Sequence, residues 1–158
     1  MQHTTHHAYK ILVNRIRTTE EATNSILNTY FGGYVNEEVL KDVPRNEGLK
    51  EESLLTIPCE DLFRDGENYL SVDDLPDRLA ELGYELADFF AFCSFVEKNQ
   101  CLANQYPIAT HWGKGCFAIA HRTSSRGCGL SVRRIFKIWS IRFRFVCRPL
   151  HNASTMQV

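Results

Sequence analysis

A chain of 158 residues, 44% of them hydrophobic and ten of them Phe, suits one domain and can fill one core. Its formal net charge of −1 hides two halves of opposite sign: residues 1–97 hold all 19 acids against 8 Lys and Arg, and residues 98–158 hold 10 Lys and Arg with no acid. No run nears the roughly 20 apolar residues that span a bilayer, and MQHTTHHAYK lacks the order of a secretory signal. We therefore expect synthesis in the cytoplasm, with virion or cellular residence left open.

Residues 1–7 are polar and expected to be disordered, residues 8–149 to form a single domain, and residues 150–158 a flexible tail. Tyr9 to Val13 alternates as a short strand. Thr18-Thr-Glu-Glu21 is a capping box, which opens a helix through Ala22, Ile26, Leu27 and Tyr30 that stops at Gly32-Gly33. Tyr34 to Glu52 is polar, with Pro44 and Gly48, and reads as an irregular connection. A second strand follows over Leu54–Ile57, closed by Pro58.

Ser71-Val-Asp-Asp74 starts a helix whose apolar positions run from Leu75 to Leu82, with Gly83 as its end. Another helix is expected from about Glu85 to Leu102, burying Leu86, Phe89, Phe90, Phe92, Cys93 and Phe95. The remainder reads as β-structure. A strand over Tyr106–His111, a turn at Gly113-Lys-Gly115 and a returning strand over Cys116–His121 form a hairpin. A polar loop (122–129), short strands near Leu130–Val132 and Ile138–Trp139, and a last strand over Phe143–Arg148 complete the chain. In that last strand Phe143, Phe145 and Cys147 share one face, and Arg144, Val146 and Arg148 the other.

The six cysteines, none in a CxxC pair, are read as free and mostly buried thiols. His111, Cys116, His121 and Cys128 could supply zinc ligands, but separations of five, five and seven residues match no known finger, so no metal or other cofactor is expected. Cys116 and His121 have the residue types of a nucleophile and its base. Five positions apart on one strand, they point to opposite faces, and no enzymatic activity is expected. A calcium-dependent sugar site needs clustered carboxylates, which the C-terminal half lacks.

The stretches Tyr9-Lys-Ile-Leu-Val-Asn14, Leu70-Ser-Val-Asp-Asp, Leu82-Gly-Tyr, Tyr106-Pro-Ile-Ala-Thr, Trp139 and Arg142-Phe-Arg-Phe-Val-Cys-Arg148 occur in an order that resembles a broad set of microbial and viral proteins. That set includes the variable proteins of diversity-generating retroelements. The resemblance covers roughly residues 9–149 and implies an α+β, C-type lectin-like fold. Two or three helices would pack on short antiparallel strands, with an irregular β-rich C-terminal half. It also implies a variable region, here about 116–142.

In such retroelements template adenines are miscopied and AAC codons become NNC, which cannot encode Lys, Glu, Gln, Met or Trp. Those five types are roughly a fifth of ordinary composition, yet only Lys137 and Trp139 belong to them between Cys116 and Cys147. The resemblance thus implies a non-enzymatic ligand-binding protein that displays a diversified surface to proteins or cell-surface receptors.

Trp139, Phe143, Phe145 and Val146 are assigned to the framework. The displayed positions are His121, Arg122, Ser124, Ser125, Arg126, Cys128, Arg133, Arg134, Ile135, Phe136, Ile138, Ser140 and Ile141. For Ile135, Phe136, Ile138 and Ile141 a place in the core is the competing expectation. The competing function is nucleic-acid binding, with basic charge and the aromatic rings of Phe117, Phe136, Trp139, Phe143 and Phe145 as stacking platforms.

Overall fold

A computed structural model describes residues 6–27, 33–44, 48–99, 101–113, 115–122, 128–134 and 137–150, with only the backbone described at Cys128. The fold is α+β, a curled mixed sheet with helices on one face and a smaller layer on the other.

Strand β1 (Tyr9–Asn14) pairs antiparallel with the first half of β2 (Leu49–Pro58), and the second half of β2 pairs with β9 (Arg144–Pro149). On its other side β9 meets two strands. Its start runs parallel to β5 (Ile108–Trp112), and its end runs antiparallel to β4 (Tyr84–Leu86). The sheet continues through β6 (Cys116–Arg122) to β7 (Cys128–Arg133), giving the order β1-β2-β9-β5-β6-β7. A separate ribbon joins β3 (Tyr69–Ser71) to β8 (Ile138–Ser140).

The period-2 alternation of strands gives the sheet two apolar faces, so β9 is buried on both sides. Val146 joins the core under α1 (Thr19–Leu27), α2 (Glu37–Leu40) and α4 (Phe89–Lys98). Phe145 and Cys147 join the second core, with α3 (Leu75–Glu81), Leu70 and Trp139. Every residue of α4 from Phe89 to Val96 is buried, Ser94 included, so this helix is enclosed all round rather than along the expected stripe. Each buried Phe there contributes about 1.5–3 kcal/mol of transfer free energy.

The capping box forms as the sequence predicts: the Glu21 amide donates to the Thr18 hydroxyl at 3.1 Å, and the Thr18 amide to the Glu21 carboxylate at 3.1 Å. Tyr30, where that helix was expected to end, lies outside the described residues. Ser71 accepts from the Asp73 amide and opens a 3-10 turn (Val72–Asp74) that runs into α3; Gly83, at φ +88°, follows that helix.

Two expectations are corrected. Residues 34–52 are not irregular throughout: Asn36 caps α2, and β2 begins at Leu49. The helix expected from Glu85 to Leu102 is three elements, β4, α4 and α5 (Leu102–Gln105). Asp88 caps α4 by accepting from the Ala91 amide at 2.9 Å, so Glu85 and Leu86 are left to pair with Arg148 and Cys147.

His6, in the segment expected to be disordered, lies 3.5 Å from the Asp61 carboxylate and edge-on to Tyr84. Cys59, Cys93, Cys116 and Cys147 are free and buried, and Cys101 is free and exposed. Burial pushes the Cys59 thiol up to about 12 and raises those of Cys93 and Cys147 as well. These three behave as small apolar groups.

Candidate ligand-binding surface

The far end of the sheet, β6 and β7, positions His121, Arg122, Cys128 and Arg133. In the β6–β7 register Phe117 faces Arg133, Ile119 faces Ser131, and His121 faces Gly129. The alternate positions Ala118, Ala120, Leu130 and Val132 are buried toward the helices. On the other face the side chains turn from apolar to polar: Phe117 and Ile119 are buried, His121 and Ser131 are half-buried, and Arg133 is exposed. His121 Nε2 lies 3.0 Å from the Ser131 hydroxyl, which fixes the imidazole against β7.

The outer edge of β7 is closed by the segment after Gly33. The Val132 amide donates to the Tyr34 carbonyl at 2.7 Å, and the Asn36 amide to the Val132 carbonyl at 2.9 Å. A Cβ on Gly33 would stand 2.1 Å from the Leu130 carbonyl oxygen, and its φ of +97° favours glycine, so only this residue permits the approach. The Tyr34 ring then lies under the Arg133 guanidinium at 5.0 Å.

Between these strands and α5 runs an open groove of about 490 Å³. Phe117, Ile119 and Phe143 give it an apolar floor, and Asn104, Gln105 and Tyr106 line one wall. His121, Arg122, Arg133 and Arg142 bring nitrogen donors to it, and no carboxylate residue lines it. Arg144 stacks at 3.9 Å over Tyr106 and Arg142 at 5.6 Å over Phe143. Among the described residues, the C-terminal ion pairs are Arg134 with Asp42 and Arg148 with Glu52 and Glu85; Arg122, Arg133 and Arg142 pair with no carboxylate.

The predicted positions therefore fall in different places. His121, Arg122 and Arg133 line the groove, whereas Arg134 turns to Asp42 beyond α2. Ile138, Ser140 and Ile141 lie on or beside the β3–β8 ribbon. There Trp139 and Leu70 point inward and are buried, while Ile138 (53% exposed) and Ile141 (60%) join Tyr69 (56%) in solvent. Ser140 is half-buried. Ile138 and Ile141 are thus not core residues. Cys128 is in β7 with its side chain outside the description, and Ser124, Ser125, Arg126, Ile135 and Phe136 lie outside the described residues.

Asn104, Gln105, Tyr106, Ser131 and Arg142 were not singled out by the sequence as groove residues. Arg142 carried a usable signal, since it is one of the few basic residues beside the closing strand; the α5 residues carried none.

Cys116 is buried in the helix-side core and His121 opens to the opposite face, so no nucleophile–base pair forms between them. His111 is half-buried, burial holds its pKa below the usual imidazole value, and its Nε2 finds no partner among the described residues. Among the described residues no three His, Cys, Asp or Glu side chains come together to hold a metal, and no helix is long and apolar enough to cross a membrane. No family model, curated protein or solved structure matches the chain.

Proposed function

We propose that this chain is a non-enzymatic ligand-binding protein of C-type lectin-like architecture. Its surface over about 116–142 is diversified by a retroelement and displayed to proteins or receptors of another cell. One observation carries the reading: among the described residues of that segment, buried framework side chains alternate with exposed ones near its ends. Leu130, Val132 and Trp139 are buried, whereas Arg122, Arg133, Ile138 and Ile141 are exposed on a frame fixed by β9. Outward residues of this kind can change with little effect on stability. Trp139, one of the two residues whose type lies outside the NNC set, is the buried anchor of the ribbon.

Nucleic-acid binding is the weaker reading. Of its supposed stacking platforms, Phe117, Trp139 and Phe145 are buried and offer no face to a base.

The test is deep sequencing of the locus and its downstream DNA in the source population. Substitutions confined to codons within about 116–142, at adenines of a nearby near-identical repeat, are the expected result. A uniform locus without such a repeat rejects diversification. Binding assays on variants at Arg122, Arg133, Ile138 and Ile141 then test display: target choice should change while the melting temperature holds.

A further inference from the structure

We propose that the groove between α5 and the outer ends of β6 and β7 binds an extended acidic peptide segment of a partner protein, its carboxylates held by Arg122, Arg133 and Arg142. The proposal rests on reading this end of the sheet as a binding surface, and deepens it by naming the chemistry that the surface takes.

Three guanidinium groups and the His121 imidazole reach one concavity that no carboxylate residue lines, and the three arginines have no carboxylate partner among the described residues. Arg134 and Arg148 are instead paired within the chain, Arg134 with Asp42 and Arg148 with Glu52 and Glu85. Three guanidinium groups without a carboxylate partner among the described residues therefore meet in the groove. Guanidinium forks match carboxylates in two-point geometry, and Arg133 and Arg142 are held over the Tyr34 and Phe143 rings, so less freedom is lost when they bind.

The Asn104 and Gln105 side chains on one wall have the hydrogen-bonding types that a peptide backbone uses, and the floor of Phe117, Ile119 and Phe143 suits aliphatic side chains between the acids. A nucleic acid would share the charge. It would find no stacking surface on Phe117, which is only 5% exposed at the floor.

The experiment uses the full chain and three probes in fluorescence anisotropy: a labelled Glu-Leu-Glu-Leu-Glu peptide, its Gln-Leu-Gln-Leu-Gln counterpart, and a short oligothymidylate. The acidic peptide should bind, and Arg122→Gln, Arg133→Gln and Arg142→Gln should each weaken it by about tenfold, the scale of one charge-assisted hydrogen bond. Arg134→Gln, whose side chain pairs with Asp42 outside the groove, should leave affinity unchanged, and melting temperatures should hold for the three groove variants. Equal binding of the glutamine peptide, no loss in the groove variants, or no binding at millimolar peptide overturns the proposal. So does tighter binding of the oligothymidylate that these arginines control, which would make the groove a nucleic-acid site. A uniform locus together with acidic-peptide binding would remove diversification and leave this inference standing; a diversified locus without peptide binding would do the reverse.

Discussion

Arg148 on β9 donates from Nη1 to Glu52 on β2 at 3.0 Å, joining the acid-free end of the chain to its acid-rich beginning. Glu52 also accepts from Arg15 at 2.6 Å; Arg15 reaches Asp88 at 2.9 Å, and Arg148 reaches Glu85 at 2.8 Å. Burial works against both cations, but the facing carboxylates outweigh it and raise both arginine pKa values. The network joins Arg15, just after β1, to β2, β4, β9 and the Asp88 cap of α4, so part of the charge asymmetry in the sequence is resolved inside the fold.

Removing its hub should be costly. The Glu52 side chain is 7% exposed and Arg15 4%; removing Glu52 leaves Arg15 with Asp88 alone and Arg148 with Glu85 alone, and a lost partner of a buried polar group costs about 1–3 kcal/mol. Glu52→Ala is expected to lose that much in urea unfolding. Glu85→Ala, whose side chain is 36% exposed, should lose about 1 kcal/mol or less.

The ribbon predicts an opposite pair of outcomes one residue apart. Trp139 is buried with Phe143 and Phe145 rings 4.9 and 5.1 Å from it, and Trp139→Ala should cost about 3–5 kcal/mol. Ile138→Ser, at a site 53% exposed, should stay within about 0.5 kcal/mol of the parent chain. Thermal melts of the two variants measure both.

Gly33→Ala should loosen the edge of β7. The new methyl would collide with the Leu130 backbone at a φ of +97°, where an L residue costs about 1–2 kcal/mol before any clash. Hydrogen exchange at the Val132 amide, which donates to Tyr34, should accelerate more than exchange in β2. Equal acceleration everywhere would mean a global effect instead.

Acid should act at a particular pair. Two bonds from Arg78, at 2.6 and 3.1 Å, and one from the Arg64 amide pull the Glu67 pKa from 4.5 to about 2. A carboxylate depressed in the folded state adds stability above its unfolded value and loses that stability as pH falls through the folded one. The window is therefore pH 4.5 down to about 2. Carbon NMR titration of the Glu67 carboxyl should show the low midpoint, and Glu67→Gln should flatten the pH dependence of the melting temperature across that window.

Much of the fold could be read from local chemistry. The Thr18–Glu21 box, the stop at Gly83 and the alternation of Phe145, Val146 and Cys147 each depend on residues adjacent in sequence, and each occurs where expected. What escaped depends on distant partners. Glu85 and Leu86 look helical in isolation and become part of a strand because β9 offers a free edge there. Leu49–Ser53 looks like loop because it is polar, yet it pairs along β1 with Glu52 buried by two arginines. At the candidate surface, the exposure of Ile138 and Ile141 was undecidable from composition, and the groove was invisible because α5 and Arg142 come to β6 only through the tertiary fold.

The position of β9 between β2 and β5 has a consequence for any gene in which the preceding segment changes. A chain that stops or shifts frame anywhere in 116–142 never makes the strand that joins the two halves of the sheet. Such a product exposes the facing edges of β2 and β5 and invites degradation. Reading frames that reach Pro149 intact are the ones that fold and accumulate. The architecture thereby tolerates substitution at outward positions such as Arg122, Arg133, Ile138 and Ile141, and tolerates neither the loss of buried ones such as Trp139 nor an altered length of reading.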